Sequence, residues 1–337
     1  MKKFLIVLSA LCVCLSGCAA SPTDTETPSQ SADAEATTPQ ADNAQEAPPQ
    51  SADTEATAAQ AVADAGSATG VILFDGDAIS ATGAVTVDGN AATITAAGSY
   101  EISGTLHDGV LVVDTKGDVT LILNNAEIRS STMAPIHIKD ADSVFIQLAD
   151  GSENSLTNGA SQRPGDAADP PDAALFSKAD LVIGGSGALT VNALYGDGID
   201  SKDTLFIQGG TIQVSAPDDG VIGKDYFLMN GGSLSVTAGD DGVKATNDAQ
   251  IAMGYVEING GALSVKAGDE GVSAETSVTV TGGKVFIDTD NNGIKADGLL
   301  KIDGGTVEIV TADDGLKYET KEIGPDAVVT VNGVPVA

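Results

Sequence analysis

A short motif returns along the second half of the chain at a near-constant interval, and that interval limits the fold more than any other feature. Asp197-Gly198-Ile199, Asp219-Gly220-Val221, Asp241-Gly242-Val243, Glu270-Gly271-Val272, Asn292-Gly293-Ile294 and Asp314-Gly315-Leu316 begin 22, 22, 29, 22 and 22 residues apart. The 29 is a 22 with seven residues inserted near 249–255. A fixed period of this length marks a stacked-repeat protein. A 22-residue unit cannot close a core alone, whereas stacked coils bury their apolar faces on one another.

Two short runs follow each motif, divided by a glycine pair: Gly209-Gly210, Gly231-Gly232, Gly260-Gly261, Gly282-Gly283 and Gly304-Gly305. Apolar residues alternate with polar ones on both sides of each pair. Leu205, Ile207, Ile212 and Val214 are followed one coil later by Phe227, Met229, Leu234 and Val236, and three further coils keep the pattern. Period-two alternation predicts half-buried strands. A helix is excluded by the abundance of glycine and β-branched residues and by the lack of an apolar 3.6-residue stripe. Three strands per coil give an all-β fold, a parallel β-helix of about 22 residues per coil. The Leu/Asn pattern of leucine-rich repeats and the nine-residue period of a calcium roll are both absent.

Upstream the repeat degenerates. Residues 173–178 and 181–185 form one irregular coil, and 110–113, 119–123 and 144–148 read as strands. The stretch 159–172, with Pro164, Pro170 and Pro171, reads as a loop. The β-helix is expected over 69–323, about a dozen coils stacked ~4.8 Å apart into a rod of about 55 Å. Residues 324–337 are expected to form a capping strand and tail.

Residues 1–18 have a secretory layout: Lys2 and Lys3, an apolar run over 4–15, then Ser16-Gly17-Cys18. Cys18 lies in a sequence resembling a bacterial lipobox, which predicts lipidation there and a protein held at the extracellular face of a membrane by its lipid alone. Cys12 and Cys14 fall inside the leader, so no disulfide framework is expected. Residues 19–68 are rich in Ala, Thr, Pro, Gln and acids and lack Lys and Arg; they read as a disordered tether. The net charge of −32 excludes nucleic acid as a partner and calls for cations at any anionic polymer. A monomer is expected.

The segments 100–106 (YEISGTL), 119–124 (VTLILN), 134–136 (API), 173–178 (AALFSK), 197–203 (DGIDSKD), 223–226 (GKDY) and 241–248 (DGVKATND) resemble one known family. It comprises bacterial carbohydrate-binding-domain β-helix proteins that look like non-catalytic relatives of pectate lyases. The resemblance covers about 70–320. It implies a right-handed parallel β-helix, bound calcium, and affinity for cell-wall polysaccharides of cellulose or pectin type. The chain departs from the pattern at Ile222, where relatives favour Arg, which removes a cationic contact from that coil.

In the stacked fold, Asp197, Asp219, Asp241, Glu270, Asn292 and Asp314 form one column, and Asp218, Asp240, Asp269, Asn291 and Asp313 a second. Carboxylates one rung apart repel. Calcium, which takes six to eight oxygens, would offset this; Asp197, Asp218, Asp219, Asp240 and Asp241 are the expected ligands. Gly beside each acid would let the backbone approach the ion. The competing reading is a lattice of turn acids bonded to backbone amides and paired with Lys244, Lys295 and Lys317. Lys202, Lys224, Tyr226 and Lys244 are the candidate glycan contacts. With no Trp and five Tyr, an aromatic platform is thin, which favours an acidic glycan bridged by calcium. His107 and His137 lie too far apart in sequence to suggest zinc. A non-catalytic binder is expected. The alternatives are a calcium-dependent lyase, for which Arg129 and Arg163 lie outside the regular coils and Lys224 is a conceivable base, and an adhesive scaffold without glycan affinity.

Overall fold

A computed structural model of the chain describes residues 68–159, 171–250 and 252–337. The leader, Cys18, the tether up to residue 67, Arg163 and most of the predicted loop lie outside these residues. Every regular element among the described residues is a strand. Pairing skips by three. Strand Asp197–Ser201 lies parallel between Ala173–Ser177 and Val221–Gly223; Thr204–Ile207 pairs with Tyr226–Met229, and Thr211–Ala216 with Ser233–Ala238. The chain therefore runs through three strands per coil and returns one rung further on, which is a parallel β-helix. We call the motif strands the first face, those before the glycine pair the second, and those after it the third.

Ten consecutive parallel pairings join Gly70–Gly76 to Val328–Val331 on the third face, so that face has eleven rungs. The expected boundary at 323 falls inside the last coil, because Val328–Val331 continues the third face before turning antiparallel onto Val334–Pro335. At the other end, antiparallel partners Ala78–Ala81 and Val85–Asp88 close the first coil. The insertion ends at Gly254 rather than at Tyr255, since Tyr255 is in register with Tyr226 and starts the next second-face strand.

Like residues stack on like. Leu205, Phe227, Val256, Val278 and Leu300 form one inner row, and Val214, Val236, Val265, Ile287 and Ile309 another. Every one of these ten is at most 3% exposed. Polar turn residues stack too. Asn259 Nδ2 donates to Asn230 Oδ1 at 2.9 Å, and Thr281 Oγ1 donates to Asn259 Oδ1 at 2.5 Å. Outside the main core, Phe145, Val182, Phe206, Tyr226, Leu228 and Tyr255 form a second apolar cluster on the outer side of the second face.

The two kinds of repeated glycine have different causes. The second member of each pair holds φ between +77° and +89°, a region costly for other residues. The motif glycines do not. A Cβ on Gly242 would sit 2.2 Å from Val265 Cγ1 and 2.5 Å from the Gly271 carbonyl oxygen, both on the next coil. Gly198, Gly220, Gly271 and Gly293 meet the same pair of obstacles. These glycines are required by coil stacking. Gly242→Ala should therefore destabilise the rod by about 1–3 kcal/mol, because a backbone carbonyl cannot yield. Thermal unfolding of the variant against Ser264→Ala, an outward change expected within about 0.5 kcal/mol of neutral, checks this.

Candidate functional site

The turns from third to first face carry the acids. Asp197, Asp219, Asp241 and Glu270 are all less than a tenth exposed, although each is ionisable. They form the predicted inner column, and they are tied by backbone. The Asp219 N–H donates to Asp197 Oδ1 at 3.1 Å, Asp241 N–H to Asp219 Oδ1 at 3.0 Å, and Glu270 N–H to Asp241 Oδ1 at 3.0 Å. Asn292 Nδ2 continues the ladder to Glu270 Oε1. Lys244 Nζ reaches Asp241 Oδ2 at 2.9 Å and Asp219 Oδ2 at 3.3 Å, and Lys295 Nζ lies 3.5 Å from Glu270 Oε1. The amide-and-lysine lattice is thus real along most of the column. The outer column is more open, with Asp218 exposed and Asp240 and Asp269 half-buried.

Burial leaves these carboxyls reluctant to ionise. Burial, with the charges of Asp200 and Asp219 beside it, pushes Asp197 up to about 8. Burial takes Asp219 to about 6 against the pull of Lys244 and the Asp241 N–H, and takes Glu270 to about 7 with help from Asp241. On the next turn, burial and neighbouring Asp180 and Asp225 push Asp203 to about 7.

Three groups of carboxylates have ligand atoms within 4.8 Å of one another: Asp172, Asp197 and Asp200; Asp218, Asp219 and Asp240; Asp240, Asp241 and Asp269. The second consists of expected ligands, and the third joins the expected Asp240 and Asp241 to Asp269, which the sequence placed in the outer column but not among the ligands. The first adds Asp172 and Asp200, which sequence reasoning missed. Asp200 occupies an outward row of the first face whose neighbours in register are Phe176 and Ile222. It is fully buried. Lys202 Nζ pairs with its Oδ2 at 2.6 Å and lies 5.6 Å from the Phe176 ring centroid. Asp200 Oδ1 and Asp172 Oδ1 are buried without a hydrogen-bond partner among the described residues. Ile222, one rung on, has no donor to give. Burial pushes Asp200 up to about 6 despite Lys202. The signal available in sequence was an acid interrupting a row of Phe, Ile and Lys.

The expected glycan contacts separate. Lys202 and Lys244 are engaged by acids, and Lys224 is an exposed turn residue. Tyr226 is 3% exposed and stacks on Tyr255, centroids 4.9 Å apart and 8° from parallel, so its ring belongs to the outer apolar cluster. Arg129 lies inside a coil, on strand Val119–Ser130, and pairs with Glu127. His107 and His137 belong to none of the three acidic groups. His137 instead lies edge-on to Phe176 and is driven down to about 4 by burial and by Lys139 and Lys178.

Comparison with known proteins places this geometry. A solved structure of the polysaccharide lyase-like protein from C. thermocellum, a gadolinium derivative, superposes with a TM-score of 0.67 at 35% identity, covering 69% of this chain and 96% of that one. A carbohydrate-binding domain-containing protein of Acetivibrio thermocellus is 41% identical over 122 residues, 35% of this chain. The match spans 43% of that relative's length. A family model described as carbohydrate-binding domain-containing protein matches residues 88–333. The chain belongs to this carbohydrate-binding family.

Proposed function

We propose that the protein is a non-catalytic binder of an acidic, pectin-type extracellular polysaccharide, that calcium assists this binding, and that a lipid on Cys18 holds it at the cell surface. The observation that carries the reading is the group of Asp172, Asp197 and Asp200. Three carboxylates face one ammonium, that of Lys202, which leaves a deficit of two charges when all are ionised. Two of their oxygens are buried without a partner. An all-oxygen donor set with that deficit suits a hard divalent cation. Asp172, Asp197 and Asp200 would hold it inside, and Asp218, Asp219 and Asp240 would hold another nearer the surface. Calcium, when bound, supplies the positive charge that lets protein and glycan carboxylates lie together.

A non-catalytic role fits Lys202 and Lys244. A lyase base must lose its proton near working pH. Burial opposes the charge of Lys202 and Lys244. Asp200 for the one, and Asp241 and Asp219 for the other, nevertheless hold them protonated above the ordinary lysine range.

The acids set a pH dependence. Folded values of Asp197, Glu270, Asp203, Asp219 and Asp200 are raised above the ordinary 3.8 for Asp and 4.5 for Glu, so the folded state binds the extra protons. Their contribution is full below about pH 4 and is lost as pH rises to about 8. His137, held down at about 4, acts in the opposite sense below pH 6.5 and adds nothing above it. In chelator, the melting temperature should therefore fall between pH 6 and pH 8, and calcium should raise it more at pH 8. A chelated protein equally stable at both would contradict this.

Asp200→Asn tests the site itself. It keeps the shape and removes one charge, and should weaken calcium binding, read by titration calorimetry, about tenfold or more. In affinity electrophoresis through polygalacturonate, calcium should retard the native protein, and chelator or Asp200→Asn should release it. Retardation indifferent to chelator would remove calcium from the contact. An ultraviolet-absorbing unsaturated product from polygalacturonate with calcium would make the protein a lyase.

A further inference from the structure

The two ends of the rod are finished differently. At the first coil, Ala78–Ala81 and Val85–Asp88 fold back antiparallel along its strands. At the last coil, Val334–Pro335 folds back on the third face alone. Strand Leu316–Ile323 runs round the corner from the first face to the second. It pairs on one side with Ile294–Ile302, and among the described residues no strand pairs with its other side. Five of its eight residues are exposed: Lys317, Tyr318, Glu319, Thr320 and Glu322. Such an edge presents unpaired N–H and C=O groups, a template for a further strand.

The sequence of this strand complements itself when reversed. About a centre between Glu319 and Thr320, Leu316 falls opposite Ile323, Lys317 opposite Glu322, Tyr318 opposite Lys321 and Glu319 opposite Thr320. No like charges meet. Side-chain direction agrees at the same time. Leu316, Tyr318, Lys321 and Ile323 stand over the inner-row residues Ile294, Ala296, Leu300 and Ile302, whereas Lys317 and Glu322 stand over the outward Lys295 and Lys301. Inner therefore meets inner and outer meets outer, as residues opposite each other in a sheet must. The shift in pairing with the coil below lies between Tyr318 and Thr320, so the bend falls at the same centre. With two Lys and two Glu the strand is neutral, in a chain of net charge −32. Lys321 Nζ already lies 5.8 Å from the centroid of its own Tyr318 ring. Exposed apolar side chains gather at this end as well, in Tyr318, Val328 and Val334.

We propose that the last coil is a dimer interface, in which strand Leu316–Ile323 pairs antiparallel with the same strand of a second copy about a two-fold axis between Glu319 and Thr320. Charge alone would only blunt an edge against pairing. Here it is set out in an order that this strand itself completes, which favours a second copy over an unrelated strand. The contact uses the same patch on both chains and so closes at two. Lys317 and Glu322 form an ion pair twice, and Lys321 meets a Tyr318 ring twice. One short edge makes a small interface, hence a weak and reversible dimer. This departs from the monomer expected from the sequence, and it depends on neither glycan nor calcium.

Sedimentation velocity of the full chain, under reducing conditions and in chelator, from about 1 to about 200 μM, tests it. The native protein should pass from the mass of one chain to that of two as concentration rises. Lys317→Glu, which sets like charges opposite each other, should raise the dissociation constant about tenfold or more. Adding Glu322→Lys to it restores opposite charges in reversed order and should return the constant to within about threefold of native. Both variants should keep the native circular dichroism spectrum. Association through the leader or a lipid would not respond to the charge at 317. Association unchanged in Lys317→Glu, a one-chain mass throughout, species larger than two chains, or a double variant no better than the single one would each overturn the proposal.

Discussion

In-register backbone pairing between successive coils governs everything else in this molecule. Each residue lies over its equivalent one repeat earlier, so every choice of side chain is made as a row. For apolar residues the row is favourable at every step, because each new coil covers surface its predecessor left open. For hydrogen-bonding residues it is favourable where donor can face acceptor, as along Asn230, Asn259 and Thr281. For carboxylates the same geometry is costly, since equal charges are fixed one rung apart.

The chain relieves that cost unevenly. Between Asp197 and Glu270, each carboxylate accepts the next acid's N–H, so a backbone dipole separates neighbouring charges. Lys244 then spans two acids of adjacent rungs. At Asp172, Asp197 and Asp200 neither device suffices. The N–H of Asp197 points at the Asp172 carbonyl oxygen rather than at a carboxylate. Lys202 meets only one oxygen of Asp200. The fold itself thus gathers three carboxyls where the partners supplied are too few for all of them to ionise readily.

Most of the fold was legible in the sequence, because the inner rows obey two periods at once, two residues within a strand and 22 between coils. The twenty inward residues this double pattern selects, from Leu205 to Ile309, are all buried. The site was only partly legible. Stacking order placed Asp218, Asp219, Asp240 and Asp241 together, since that follows from the repeat. It could not place Asp172, which precedes the regular repeats, or Asp200, which sits where other coils carry Ile, Lys or Ser. Tyr226 misled for a related reason. Alternation assigns it to the outer side of its strand, which is correct, but alternation cannot tell an open outer side from one built of Phe145, Phe206 and Tyr255. The stacking role of the motif glycines was hidden because it depends on neighbours one coil away, beyond any local reading of an Asp-Gly pair.

Ile222 links these points. An Arg in that place, directly over Asp200, would present a fixed guanidinium to the carboxylate that now has an unpartnered oxygen. Such a pair would cut the deficit from two charges to one, and it would also compete with an exchangeable ion, because a tethered cation acts at a concentration no free ion reaches. With Ile222, the neighbouring row gives Asp200 apolar cover on one side and no charge. Desolvation then strengthens every Coulomb term at the site, repulsive among the acids and attractive toward an incoming cation. An apolar residue in that row therefore leaves Asp200 without the tethered cation that would complete it, and the proposed cation site rests on that vacancy of charge.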